Sequence, residues 1–327
     1  MTASRVAPQI LTITLNPALD VTTSVGHLAP VRKLRCEAPQ YEAGGGGVNV
    51  SRAIRELGGE SRAFIATGGG MEGRYRKLVR ESGLNVRYWH VEGELRFSLT
   101  VIDRGAGQHY RFVLPGPEFA AEQVDGLLSS IMRAMPSGCR FVVGSGSLPP
   151  GMPVDFYGRL ARLVHERGAF FILDTHGAPL RAALEQRVFV VRINAIEANE
   201  LARLASISSV TLPGLARQLI ERYPIDALLV GNGAEGTLLT TADAQCQVRP
   251  PKVEVVSGVG AGDSFLGAFT LALQRDWSMK DALRYGVAAA ASAVGTDIAH
   301  LCDRDATDRY FRIIRDEGEG AEFRPAT

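Results

Sequence analysis

Apolar positions fall along this chain in two alternating rhythms. Short, nearly continuous apolar runs at residues 10–15, 61–66, 140–144, 170–174, 188–192 and 227–230 have the length and β-branched content of buried strands. Between them, apolar residues recur three and four apart, the helical spacing. One such helix places Val50, Ala53, Ile54 and Leu57 on one face and is ended by Gly58-Gly59. Others are predicted at 72–82, 154–167, 179–186, 197–204 and 212–223. A further strand is expected at 237–240, followed by a helical tail from Ala261 to the 309–315 region. Strands apolar on both faces, alternating with amphipathic helices, predict an α/β fold: a mostly parallel sheet with helices on both sides.

Two stretches break this rhythm. Residues 21–27 and 34–42 have β character with no helix between them, and 97–103 with 109–114 reads as a hairpin about Gly105-Ala106-Gly107. They predict a small β-strand lid built from two excursions, 21–43 and 95–115, on a single α/β domain spanning 1–327.

With 327 residues, 46% of them hydrophobic, the chain can build a large core without staples. Its 36 basic and 35 acidic residues leave a net charge of +1, which argues against nucleic-acid or membrane-surface partners. No apolar run is long enough to span a membrane, and the first residues lack a signal-peptide pattern. Cys36, Cys139, Cys246 and Cys302 show no metal-ligand spacing and read as free buried thiols, so a cytoplasmic location is expected. The histidines show no H-x-x-x-H spacing and read as structural or solvent-facing.

The candidate chemistry centres on Gly258-Val259-Gly260-Ala261-Gly262-Asp263-Ser264-Phe265. Glycines at alternate positions let backbone N–H groups converge on an anion, and the apolar run after Asp263 reads as a buried helix whose N-terminus adds to that preference. A carboxylate beside an anion cradle repels phosphate. It belongs there if it must touch a hydroxyl about to attack the phosphate. Gly44–Gly47, followed by Val48-Asn49, is read as close backbone approach to a ligand with an amide beside it, whereas Gly68-Gly69-Gly70 has no polar neighbour. Neither run completes a dinucleotide fingerprint; no G-x-x-x-x-G-K-[ST] or protein-kinase set occurs, and Gly144-Ser145-Gly146-Ser147 misses the G-x-S-x-G elbow by one position.

Taken together, Asn16-Pro17-Ala18-Leu19-Asp20, Lys33-Leu34-Arg35-Cys36, the four glycines with Val48-Asn49, Tyr110-Arg111-Phe112, Ser145-Gly146-Ser147-Leu148-Pro149 and Val259–Ser264 resemble one family, the ribokinase-like (PfkB) carbohydrate kinases. Within it the pattern is most similar to the kinases of sugar phosphates. The resemblance implies a three-layer α/β/α sandwich with a β lid, often shared across a homodimer. It implies transfer of a phosphoryl group from Mg·ATP to a sugar hydroxyl, most simply fructose 6-phosphate to fructose 1,6-bisphosphate. Fructose 1-phosphate or tagatose 6-phosphate are the rival acceptors, and a sugar-phosphate-binding regulator with weakened turnover is the alternative of another class. Asp263 would be the base, with Gly260, Ala261 and Gly262 at the transferring group. Asp20, Lys33, Gly45, Gly46, Asn49 and Arg96 would hold the sugar phosphate. Arg192, Asn194, Gly231, Gly233, Gly236 and Gly258 would hold ATP, and Glu197 with Asn194 would place Mg²⁺ through water. Against the family pattern, Arg192 stands for lysine, Gly231 for a hydroxyl residue, Gly258 for threonine, and Ile298-Ala299-His300 for a Gly-Thr-Arg type loop. All four fall on the nucleotide half, so altered nucleotide affinity is expected there.

Overall fold

The computed structural model describes residues 8–296, 301–317 and 324–325; the 298–300 departure lies outside them. The chain runs β1 (Ile10–Thr14), β2 (Ala18–Val25), β3 (Gln40–Gly44), α1 (Gly46–Glu56), β4 (Arg62–Thr67), α2 (Glu72–Glu81), β5 (Asn85–His90), β6 (Arg96–Asp103) and β7 (Gln108–Val113). It continues through α3 (Val124–Ala134), β8 (Phe141–Ser145), α4 (Phe156–Glu166), β9 (Phe170–Asp174), α5 (Gly177–Ala183), β10 (Val188–Asn194), α6 (Ala195–Leu204), α7 (Leu212–Arg222) and β11 (Ile225–Gly231). The remainder is β12 (Thr237–Thr241), β13 (Ala244–Val248), α8 (Ala261–Gln274), α9 (Met279–Val294), α10 (Arg304–Glu317) and the short β14 (Arg324–Pro325).

The main sheet has the order β14-β13-β12-β11-β10-β9-β8-β1-β4-β5 among the described residues, parallel from β11 to β5 and antiparallel beyond β11. Successive residues of a strand face opposite sides. Leu11, Ile13, Val142, Leu173, Val191 and Leu228 join the layer built with α3–α7, whereas Ile10, Val143, Ile172, Val190 and Leu229 join α1, α8, α9 and α10. Both faces are covered, as the continuous apolar strands require. Helix α8 is buried nearly all round, and Gly267 lets α1 pack against it: a Cβ there would lie 2.8 Å from the Ala53 methyl.

A second sheet, β3-β2-β6-β7, pairs the two excursions through the parallel β2–β6 ladder. Its bounds differ from the sequence reading. β2 begins at Ala18, and of residues 34–42 only those from Gln40 onward are strand; residues 26–39 are largely irregular and exposed. β5 and β13 carry no clear apolar period and escape the sequence reading: β5 is half exposed, and β13 alternates with Gln245 and Gln247. α3 escapes it as well, although Val124, Leu127, Leu128, Ile131 and Met132 recur at helical spacing on its buried face. The thiols also depart from expectation, since Cys36 is exposed on the irregular segment and Cys139 only partly buried. No helix among the described residues is long and apolar enough to cross a membrane.

The glycine runs are explained by the protein itself. A Cβ at Gly44 would fall 1.8 Å from the Asp20 carboxylate, at Gly46 2.3 Å from the Ser145 hydroxyl, and at Gly47 2.4 Å from the Ile13 carbonyl oxygen. Gly45 has φ +124 and faces the Thr14 methyl at 2.6 Å. Gly68 likewise lies against the Val91 carbonyl.

Candidate active site

The carboxyl ends of β1, β8, β9, β10 and β11 converge with the N-termini of α1 and α8, the usual ligand side of an open parallel sheet. Gly260 adopts φ +76 and starts α8, which puts Asp263 in its first turn. The amides of that turn have no carbonyl one turn back to bond. Among the described residues Gly260, Ala261 and Gly262 donate to no other group. The close α1–α8 contact brings Asn49, far away in sequence, to donate from Nδ2 to Asp263 Oδ2 at 2.9 Å. Burial pushes the Asp263 carboxyl up to about 7; the Asp174 charge adds to the rise, and the Asn49 bond opposes it.

Two cavities flank this turn. The smaller, about 310 Å³, is lined by Asp20, Asn49, Arg52, His109, Arg111 and Gly258–Gly260, among others. Asp20 Oδ1 lies 3.6 Å from Arg111, whose Nε donates to Ser98 Oγ at 3.1 Å. Burial raises the Asp20 pKa, and Arg111, Ser98 and Arg96 counter it. Asp20 Oδ1, of a residue on the cavity wall, and Arg96 Nε, of a residue behind it, are buried without a hydrogen-bond partner. The wall therefore pairs two carboxylates, Asp20 and Glu42, with two arginines, Arg52 and Arg111, beside His109, and its Asp20 carboxylate suits sugar hydroxyls.

The larger cavity, about 670 Å³, is lined by Arg192, Gly231, Gly233, Gly236, Ala261 and Gly262, and by an apolar wall including Pro250, Val253, Phe265, Val287 and Val294. Gly233 and Gly236 flank a tight turn at φ +54 and +88, and a Cβ at Gly236 would strike the Val248 carbonyl. The Gly258–Gly262 segment is the partition between the two cavities, and Val255 lines both.

Several expected residues sit elsewhere. Gly258 lines the smaller cavity, not the nucleotide-side one, three residues before α8 begins. Lys33 is exposed on the irregular segment and lines neither cavity, nor do Gly45 and Gly46, which are packed against Thr14 and Ser145. Arg96 lies beside Asp20 but off the cavity wall. Asn194 and Glu197 form a capping box at α6: Asn194 Oδ1 accepts from the Glu197 amide at 2.9 Å, and Glu197 Oε2 accepts from the Asn194 amide at 2.7 Å. Sequence reasoning missed Asp174, Arg52 and His109. Asp174 was findable as a carboxylate closing an apolar strand; the other two carry no local signal.

The model of the pfkB family of carbohydrate kinases matches residues 14–304. An ATP-dependent 6-phosphofructokinase isozyme 2 from Mycobacterium tuberculosis is 36% identical over 95% of this chain and 91% of its own length. A 1-phosphofructokinase from Xanthomonas campestris is 31% identical over 82% of this chain and 85% of its own. A crystal structure of phosphofructokinase-2 from Escherichia coli in complex with fructose-6-phosphate superposes with a TM-score of 0.84 at 31% identity, covering 94% of this chain and 99% of that one. The ribokinase-like architecture is thus shared along nearly the whole length. Three open amides between two cavities with an aspartate directly after them, in a chain this similar to sugar-phosphate kinases, place the protein in the pfkB family of carbohydrate kinases.

Proposed function

We propose that this protein transfers the γ-phosphoryl group of ATP to fructose 6-phosphate, giving fructose 1,6-bisphosphate. One observation carries the reading: the unbonded amides of Gly260–Gly262 stand where the smaller, polar cavity meets the larger, apolar-walled one, and Asp263 follows them directly, bonded to Asn49 on the smaller cavity's wall. The sugar phosphate occupies the first, with Asp20 on its hydroxyls and Arg96, Arg111, Arg52 and Asn49 toward its phosphate. Lys33 joins them on closure of the four-stranded sheet, which acts as the lid. The nucleotide base lies against the apolar wall, and Arg192 faces the phosphates.

Phosphoryl transfer passes through a loose transition state, so positioning and charge neutralisation do most of the work. Asp263 accepts the acceptor hydroxyl's proton as the new O–P bond forms. Its raised pKa makes it a better base at neutral pH than an exposed aspartate. The first-turn amides of α8 hold the moving group as charge shifts across its oxygens.

For Mg²⁺, the described residues hold no cluster of three or more potential ligands, and Asn194 Oδ1 and Glu197 Oε2 are already bonded to backbone amides. That donor set fits a hydrated ion held through water by Glu197 and Asn194 and bound mainly by phosphate oxygens, where it would neutralise their charge. Val31, Phe112, Val113 and Leu114 are exposed on and beside the second sheet, which supports a homodimer joined there. A coupled assay with fructose 6-phosphate, fructose 1-phosphate and tagatose 6-phosphate tests the acceptor: the first is expected to give the highest kcat/KM. Preference for either rival would reassign the substrate, and ATP-dependent turnover of none would leave the regulator reading.

A further inference from the structure

The register of β9 and β10 sets Asp174 beside Arg192 at the ends of the two strands. Arg192 Nη1 lies 3.4 Å from Asp174 Oδ2, with both side chains mostly buried, at 23% and 17% exposure. The far side of the guanidinium is bounded by two glycines. A Cβ at Gly262 would sit 2.7 Å from Nη1, and one at Gly231 3.7 Å from Nη2. The cation therefore lies over Gly262 in the first turn of α8, on the wall of the larger cavity. One long contact to Asp174 engages a single N–H; a guanidinium has five donors in a planar fork, so most of the fork stays available.

We propose that Asp174 is a positioning residue: its carboxylate tethers Arg192 over the α8 turn, so that the guanidinium is already in place for the phosphates of the incoming nucleotide. This rests on the kinase reading above. An untethered arginine must lose rotamer freedom when the nucleotide arrives, whereas a tethered one has lost it on folding. Gly262 then has a reason, since a side chain there would crowd the seated guanidinium, whereas a Cβ at Gly231 would make only ordinary contact with it.

The test is calorimetric binding of Mg·ATP to wild type, Asp174→Asn, Arg192→Gln and the double variant, with the KM for fructose 6-phosphate measured alongside. Asp174→Asn is expected to weaken ATP binding on the order of tenfold. The sugar-phosphate KM should stay within about twofold, and the same substitution should change ATP affinity by less than about twofold in the Arg192→Gln background. A folded Asp174→Asn variant with wild-type ATP affinity would overturn the tether, as would equal losses in both backgrounds. If Asp174→Asn does not fold, Asp174→Glu is read instead: it keeps the charge, displaces it by one methylene, and should show the same dependence on Arg192. Wild type that binds no ATP would remove the kinase reading itself, and the tether with it.

Discussion

Asp263 owes its basicity to its surroundings. A carboxyl held near 7 by burial and the neighbouring Asp174 charge is half ionised at neutral pH, where an exposed aspartate would be a poorer base. Two predictions follow from the sign of that shift. Because catalysis needs the ionised form, kcat/KM should rise with pH through a single ionisation near 7, read from rates at fixed ionic strength. Stability should move the other way. Between the ordinary value of 3.8 and about 7 the native state holds the proton more tightly than the unfolded chain, so unfolding free energy falls as pH rises through that window. Asp263→Asn removes the dependence; at pH 8 it should be more stable than wild type by on the order of 1–3 kcal/mol, and near pH 4 about equal, measured by urea unfolding. At this scale the sequence was most informative for Asp263, set by the local turn into α8; Asp20 stands in β2, placed by pairing with β3 and β6. The sequence was silent on Arg52 and His109, which reach the cavity through pairing and packing set far away along the chain.

At the scale of elements, the glycine runs separate what pattern reveals from what contact reveals. Four consecutive glycines announce close approach, but the approaching group cannot be read from the run. It is the protein's own Asp20, Thr14, Ser145 and Ile13. Gly47→Ala should therefore destabilise the protein by about 1–3 kcal/mol, through a clash with the Ile13 carbonyl oxygen in the rigid β1. Gly258→Ala, where a Cβ meets nothing within 4 Å, should be near neutral in stability, so urea midpoints of the two variants make a paired test. The strands and helices that sequence reading located, β1, β8–β11, α1 and α8 among them, are those buried on a consistent face. Of those it missed, β5 and β13 are stabilised by pairing with a neighbour more than by their own apolar pattern, whereas α3 carries a buried apolar face that the pattern did contain.

For the whole molecule, alternation of apolar strands and amphipathic helices was enough to read the parallel sheet and its two helical layers, because strands buried on both faces leave no other arrangement. The parallel β2–β6 ladder joining the two excursions is a long-range pairing that local pattern does not encode. The second sheet's exposed Phe112 and Val113 lead to a prediction at this scale: sedimentation should show a homodimer for wild type, and Val113→Asp should shift it toward monomer without unfolding the chain. The site sits where α1 and α8, brought into contact by Gly267, aim Asn49 and Asp263 at one point between two cavities.

The most direct test of that arrangement is transfer of label from [γ-³²P]ATP to fructose 6-phosphate by wild type and by Asp263→Asn, with sugar-phosphate binding measured on both. Wild type should form labelled bisphosphate. The variant should bind fructose 6-phosphate comparably and lose about 10²–10⁴ in rate or more. Transfer by Asp263→Asn at close to the wild-type rate would contradict the role given to this carboxylate.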